Sequence, residues 1–349
     1  MTLLRDRCGT LRDHWYVACT QEELGKKPLS REILEERLVL YRDDTGRALC
    51  FRDRCLHRNA ELSEGFIVNG CIACPYHGWR YDSEGRLVHI PSEGPDSKGR
   101  PKRKLVAFPV TEASGLVWVW MGDPGNITRE PFAFPHYGEA GWDSYYMVTH
   151  FDNDVTNCVE NFMDVPHTIT VHAGWFRTDA KKPVHTTVER TEDSVLVTYH
   201  QDADSIGWTD LILNPRREPV FHTDKFYMPN VTRVDYEFGS RRAFVITSQC
   251  TPISESKTLV FTAITYRVET PLRPLFKVIM PPYTRKVIHQ DVVIMANQRR
   301  SLARYGAEFT NAPVDVIHHY IESLRDWAET GEEGAPPEPA SAEGTPSYM

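Results

Sequence analysis

The sequence predicts an α+β chain of two domains: an all-β N-terminal domain, then an antiparallel sheet accompanied by long helices. Three observations predict it. Short β-like runs punctuated by turn residues fill the first third, with two Cys-plus-His pairs among them. Consecutive alternating runs occupy the stretch from about Val184 to Glu269. Amphipathic helical patterns flank that stretch on both sides. A length of 349 residues suits two domains at roughly 150 residues each.

In the first domain, Leu38–Arg42 and Ala48–Arg52 read as strands around the turn signal Asp43-Asp44-Thr45-Gly46. Next come Cys55-Leu56-His57 and, after sixteen residues, Cys74-Pro75-Tyr76-His77. Two thiolates and two imidazoles suit a [2Fe–2S] centre in which two histidines replace two cysteines on one iron. A tetrahedral zinc site uses the same donor types. Zinc knuckles, however, place two to four residues between paired ligands, and Cys55 and His57 have one between them. Cys71 adds a Cys-x-x-Cys pair with Cys74, and we read it as a packed thiol. Tyr81–Leu87 reads as a hairpin turning at Gly85, and Ser92–Lys104, rich in Pro, Gly and Lys, as a surface loop. Leu116–Met121 is an apolar strand that closes the domain. Gly122-Asp123-Pro124-Gly125 breaks the pattern, so domains of 1–123 and 124–330 are expected.

In the second domain, Val155, Val159 and Phe162 recur at helical spacing. The stretch continues through Asn161, Asp164, Pro166, His167 and His172. On a straight helix, residues five apart are separated by roughly 140°. His167 and His172 can share one ion only if the helix bends or ends between them, and Pro166 is a breaker. Alone, the pair also fits two unrelated surface histidines. Val184–Arg190, Val195–His200, Val231–Phe238, Ala243–Cys250 and Thr258–Glu269 read as an antiparallel meander with one face on a core. Pro281-Pro282 precedes a helix expected from Tyr283 to Leu302. Asp291 lies within its apolar stripe of Val287, Ile288, Ile294 and Met295. A carboxylate buried there without a partner costs several kcal/mol, so it binds metal, forms a salt bridge or turns towards water. Two histidines and one carboxylate make the facial triad of non-haem iron(II) sites. Val314–Glu329 reads as a further helix, and residues 331–349 as a disordered tail.

Composition narrows the function. A net charge of −8 argues against nucleic acid or an anionic membrane as partner. No apolar run is long enough for a membrane span, and the N-terminus lacks the apolar core of a secretion signal. Eight unevenly spaced cysteines do not form a disulfide framework, which suggests a reducing, cytoplasmic setting.

Cys55-Leu56-His57-Arg58 and Cys74-Pro75-Tyr76-His77-Gly78-Trp79 resemble the two cluster loops of Rieske non-haem iron oxygenases. Asn161-x-x-Asp164-x-x-His167-x-x-x-x-His172 resembles the catalytic-iron motif of the same family, and His14–Ala18 its entry strand. The resemblance implies a Rieske [2Fe–2S] domain and a helix-grip catalytic domain, in which the sheet wraps a long helix. It implies a cluster on Cys55, His57, Cys74 and His77, and a mononuclear Fe(II) on His167, His172 and Asp291. O2 is then the co-substrate. No flavin or nicotinamide fingerprint is present, so NAD(P)H would act only through a separate reductase or ferredoxin. The chain is similar in size to the homotrimeric demethylase and monooxygenase group. That implies monooxygenation of a small aromatic or heterocyclic substrate. Dihydroxylation, desaturation, oxidative cyclisation, or a pure electron carrier are the alternatives. In the family the carboxylate matching Asp164 links a catalytic histidine to a cluster histidine, here His77, of a neighbouring subunit. Phe162, Trp175, Phe176, Trp208 and Tyr227 are candidate pocket walls, and Ser248 a candidate polar substrate contact.

Overall fold

The structure, a computed structural model, describes residues 2–175, 183–200, 213–239, 241–268 and 273–348. The chain divides into two units, Met1–Ala133 and Phe134–Met349.

The N-terminal unit is built from three small antiparallel sheets. The first has Leu116–Trp120 between Trp15–Thr20 and Val110–Ala113. Leu116–Trp120 is buried throughout, which accounts for a continuous apolar run rather than an alternating one. The second sheet runs Ala107–Phe108, Ala48–Arg52, Glu36–Arg42, Leu29–Ile33. The third runs Phe66–Val68, Cys71–Ala73, Arg80–Tyr81, Arg86–His89, Arg100–Lys104. Val39, Tyr41, Phe51, Leu62, Ile72 and Tyr81 form the core that receives Cys55 and Cys74. Gly85 turns the hairpin at φ +74°, where a Cβ would lie 2.9 Å from the Phe51 ring.

Two expectations for this unit are corrected. The division falls at Ala133 rather than residue 123, because the following segment is tied back: Trp15 Nε1 donates to Arg129 O at 2.7 Å. The expected loop 92–104 contains a short 3-10 turn, Pro91–Glu93, and the edge strand Arg100–Lys104. That strand is exposed along its whole length, so nothing in its side chains signals burial.

The C-terminal unit is an eight-stranded antiparallel sheet. Its order is Asp143–Phe151, Lys257–Arg267, Arg242–Ser254, Val231–Phe238, Val220–Tyr227, Ser194–His200, Pro183–Arg190, Ala340–Tyr348. The expected meander is present. Asp143–Phe151 and Val220–Tyr227 are additional strands. Register aligns Thr232 with Ser248, Ser248 with Thr262, and Thr262 with Met147, so one row of hydroxyls crosses the sheet.

The helix Val155–Met163 is capped by Asp154, whose side chain accepts from Asn157 N at 2.9 Å. It ends at Asp164 and is followed by a 3-10 turn, Val165–His167, and a single helical turn, Thr168–Val171. Val155–Met163, the helix Val316–Glu329 and six strands share a core that includes Phe151, Val159, Met163, Val197, Phe226, Ile321 and Leu324.

The long helix runs from Arg273 to Tyr305, not from Tyr283. Pro281 and Pro282 lie inside it. The carbonyls deprived of an amide partner belong to Lys277 and Val278, both exposed to water. Thr284 Oγ1 also donates to Met280 O at 3.0 Å, tightening that turn.

The tail expected to be disordered instead ends in the edge strand Ala340–Tyr348, paired antiparallel with Pro183–Arg190. A ladder of backbone hydrogen bonds needs no bulky apolar residue, so composition gave no sign of it.

Candidate active site

The first donor set is made by two loops of the N-terminal unit. Cys55 and Cys74 are buried, at 0% and 2% exposure, while His57 and His77 sit nearer the surface with ring centroids 4.5 Å apart. The loops are held by backbone bonds. Cys55 N donates to Ala60 O at 2.9 Å, Cys74 N to Trp79 O at 2.9 Å, and Gly78 N to Cys74 O at 3.0 Å. Gly78, at φ +69°, takes the chain around a corner where a Cβ would meet Pro91 Cγ at 3.0 Å.

Burial pushes the Cys74 thiol up, and N–H donation from Tyr76 and His77 opposes that shift. Those donors point at a sulfur that carries charge once it ligates metal. Tyr81 Oη lies 3.2 Å from Cys55 Sγ and accepts from Leu56 N at 3.1 Å, so the phenol hydrogen is available to the sulfur. Such bonds tune the potential of an iron–sulfur centre. His57 Nδ1 is buried and makes no hydrogen bond, and its ring lies flat on Trp79, 4.4 Å away at 2°. An orphaned imidazole nitrogen beside two buried thiols fits a two-Cys, two-His cluster. Cys71, half-buried in Cys71–Ala73, is outside this arrangement.

The second donor set belongs to the C-terminal unit. The break at Asp164 brings the histidines five residues apart onto one point. His167 Nε2 and His172 Nε2 are 3.3 Å apart. Asp291 Oδ1 reaches across from the long helix to 3.4 Å and 3.2 Å from them. Asp291 and His172 are each 4% exposed. Octahedral coordination with bonds of about 2.1 Å places adjacent donors about 3 Å apart. Burial pushes the Asp291 carboxyl up, but the two imidazoles more than offset this and hold it below its ordinary value. Burial likewise works against charge on His167, and Asp291 raises it overall.

The outer nitrogens decide the tautomers. His167 Nδ1 bonds the backbone oxygen of Asp164, and His172 Nδ1 lies 3.0 Å from Gln290 Oε1. With both Nδ1–H groups donating, both Nε2 lone pairs point inwards. Two such lone pairs and Asp291 Oδ1, which has no hydrogen bond of good geometry, converge and need a cation between them. The set matches the two-His, one-carboxylate triad of non-haem iron.

Asp164 differs from expectation. Its carbonyl, not its carboxylate, takes the His167 proton; the carboxylate oxygen is 4.0 Å from Nδ1 and the side chain is 32% exposed. The non-helical ψ of 89° at Asp164 turns the carbonyl onto the ring. Burial pushes its carboxyl up, against the pull of His167 and His318.

The triad opens on a cavity of about 120 Å³ under the sheet. Its wall is mainly apolar, with Val234, Ile246, Ile264 and Phe244 on the sheet side and Val287 and Ile288 on the helix side. Of the expected pocket residues, Phe162 and Ser248 line it, and so do Asn161 and Asp164 of the histidine motif. Asn161 Nδ2 is buried without a hydrogen-bond partner. Ser248 Oγ lies 2.9 Å from Thr262 Oγ1. Trp175 packs instead against Tyr283, 6.1 Å between centroids, and Tyr227 ends its strand outside the lining. Trp208 and Phe176 lie outside the described residues.

Asn153 was not anticipated. It is fully buried and donates to Met295 O at 3.0 Å and Gln298 Oε1 at 2.8 Å. This clamps the start of the histidine-bearing segment to the helix that carries Asp291. Its only sequence signal was its place beside the Asp154 cap.

Residues 14–109 match the Rieske [2Fe–2S] domain family, and residues 151–318 the vanillate O-demethylase oxygenase C-terminal domain family. The two matches lie one in each unit of the chain. By class, the chain pairs a Rieske [2Fe–2S] domain with an oxygenase C-terminal domain. It is 41% identical over 174 residues to the dicamba O-demethylase oxygenase component of Stenotrophomonas maltophilia, covering 49% of this chain and 50% of that protein. It is 36% identical over 197 residues to a vanillate O-demethylase oxygenase subunit of a Pseudomonas species, covering 55% and 53%. The chain thus spans about half the length of the curated relatives it matches. The fold is shared with dicamba monooxygenase bound to dicamba, at a TM-score of 0.80, 24% identity and 92% and 98% coverage. It is also shared with NdmA of Pseudomonas putida CBB5, at 0.74, 22% identity and 93% and 92% coverage. No described helix is long and apolar enough to cross a membrane.

Proposed function

We propose that this chain is the oxygenase component of a system that monooxygenates a small aromatic or heterocyclic substrate with O2. Electrons come from a separate reductase or ferredoxin, and NAD(P)H acts only through it. The observation that supports this reading best is the convergence of His167 Nε2, His172 Nε2 and Asp291 Oδ1 beside an apolar cavity. When bound, the two metal groups supply single-electron relay at the cluster and oxygen activation at the mononuclear iron.

The residues divide the remaining work. Cys55, His57, Cys74 and His77 would hold the cluster. His167, His172 and Asp291 would hold iron on one face and leave its other positions towards the cavity. Gln290 and the Asp164 carbonyl keep both Nε2 atoms deprotonated. The apolar walls exclude water and favour a flat apolar substrate. Thr232, Ser248 and Thr262 present hydroxyls that can orient a polar substituent, and Asn161 Nδ2 offers a further donor. Insertion of one oxygen atom gives a hydroxylated product. At an O- or N-methyl carbon it gives demethylation with release of formaldehyde. The relatives include named O-demethylases, which favours this outcome over dihydroxylation, desaturation or cyclisation.

We place the chain in a homotrimer in the cytoplasm, with Asp164 of one copy facing His77 of the next. A half-exposed carboxylate beside a ligand histidine suits such a bridge, and a heterologous contact that closes forms a ring. All eight cysteines are free, which suits a reducing compartment. A substrate panel of methoxyarenes, N-methylated heterocycles and unsubstituted arenes, driven by a surrogate reductase and read by mass spectrometry, tests the reading. Products gaining one oxygen or losing one methyl support it. Products gaining two hydroxyls point to dihydroxylation, and none with any substrate to a carrier.

A further inference from the structure

The chain carries a net charge of −8, yet five of the seven residues from Lys98 to Lys104 are Lys or Arg. All five are exposed. Arg100–Lys104 is the edge strand of the sheet that also frames the Cys74–His77 loop. Its register jumps, with Arg86 opposite Lys104 and Leu87 opposite Arg100. Pro101, Lys102 and Arg103 therefore have no partner residue and form a bulge. Arg100 pairs with Glu93 at 2.6 Å, and Lys104 stands 3.8 Å from Glu84. Lys98, Lys102 and Arg103 have no carboxylate at ion-pair distance among the described residues.

Residues Gly99–Lys104 form one side of a surface hollow whose other side is Leu56, Trp79 and Leu87. Leu56 lies between the ligands Cys55 and His57 and is 41% exposed. Trp79 is stacked on His57. Uncompensated positive charge, an exposed apolar residue and an aromatic in contact with a cluster ligand thus meet in one place.

We propose that this hollow docks an acidic one-electron iron–sulfur carrier protein. Carboxylates of the carrier meet Lys98, Lys102 and Arg103, and its cluster is brought close to Trp79 and His57. The carrier's reduced [2Fe–2S] cluster loses one electron, the Rieske cluster gains it, and no bond is made or broken. Opposite surface charge steers such encounters, fixes their orientation and makes them salt-sensitive. Charge on an edge strand also discourages edge pairing, but that accounts for neither the hollow nor the position beside His57. The overall acidity of the chain disfavours nucleic acid as the occupant. The inference rests on the reading that a separate protein reduces the cluster.

The test uses the full, cluster-loaded chain and a plant-type [2Fe–2S] ferredoxin as probe, with binding followed by calorimetry. Wild-type protein should bind at low salt and weaken as salt rises. Lys98→Glu/Lys102→Glu/Arg103→Glu should weaken binding by about tenfold or more and slow cluster reduction by ferredoxin in stopped flow. Reduction by dithionite, iron content, visible spectrum and oligomeric state should stay unchanged. Lys26→Glu/Lys27→Glu, at another exposed basic pair, should bind normally. Several results would overturn the proposal: no wild-type binding, undiminished binding by the triple variant, or equal loss in the Lys26/Lys27 control. A changed oligomeric state in the triple variant, or tighter binding of a DNA duplex than of ferredoxin, would do so too. Failure of the oxygenase reading would appear instead as missing product with ferredoxin binding intact.

Discussion

Gln290 Oε1 lies 3.0 Å from His172 Nδ1, so the residue that orients one histidine of the triad directly precedes the carboxylate that completes it. One turn of the long helix thus sets both the tautomer of His172 and the position of Asp291. Gln290→Leu removes the acceptor and frees the ring to turn. Loss of such a partner typically costs about 10- to 100-fold in metal affinity. Fe(II) titration should show that loss with the cluster spectrum unchanged, and Gln290→Glu should retain most of the affinity. Unaltered binding in Gln290→Leu would remove Gln290 from the site.

Tyr81→Phe deletes the hydroxyl 3.2 Å from Cys55 Sγ. A hydrogen bond to a ligand sulfur favours the reduced, more negative cluster. Its loss should lower the reduction potential by an amount on the order of tens of millivolts. Protein-film voltammetry measures it, and an unchanged potential would contradict the assignment.

Asp164→Asn keeps size and removes charge. Iron content, cluster spectrum and the trimer should persist, because the bond to His167 comes from the Asp164 backbone. Cluster reoxidation with O2 and substrate should slow. Wild-type reoxidation rates, or a fully active monomer, would refute the bridge between copies.

Glu160 has a buried oxygen with no hydrogen bond. Burial pushes its carboxyl up from an ordinary 4.5 to about 8, and Glu322 and Asp154 add to the shift. A raised carboxyl binds its proton more tightly in the fold than in the unfolded chain. Its contribution is therefore complete below pH 4.5 and is lost as pH rises through about 8. Glu160→Gln should flatten that decline and raise stability at pH 9 by an amount on the order of 1–3 kcal/mol. Urea melts at pH 5 and pH 9 check this, and a variant less stable at pH 9 would contradict it.

Much of the site was legible because ligand chemistry constrains residue type and spacing together. Cys55, His57, Cys74 and His77 stand at loop positions, and Asp291 was conspicuous as a carboxylate in an apolar stripe. The supporting residues were not legible. Asn153, Gln290 and Tyr81 act through contacts 142, 118 and 26 residues away in the chain, and nothing local marks an amide or phenol for that role. The fold shows the same divide. Ser194–His200 alternates clearly and Lys257–Arg267 reads as an apolar run buried almost throughout, whereas Val220–Tyr227 holds His222, Asp224 and Lys225, and its buried polar pairing obscures the period. His222 Nε2 bonds Asp224 Oδ1 at 3.0 Å, and Tyr199 donates to Asp224 Oδ2 at 2.8 Å. The start of the long helix was hidden by Pro281-Pro282, and Ala340–Tyr348 is held by backbone pairing.

The central claim is that His167, His172 and Asp291 hold a catalytic iron distinct from the cluster. Iron counting on wild type and His167→Ala, with product measured on the same samples, tests it most directly. The account predicts about three irons per wild-type chain and about two in the variant. The variant should keep its cluster spectrum and form no product. About two irons in the wild type, or turnover retained in His167→Ala, would contradict it.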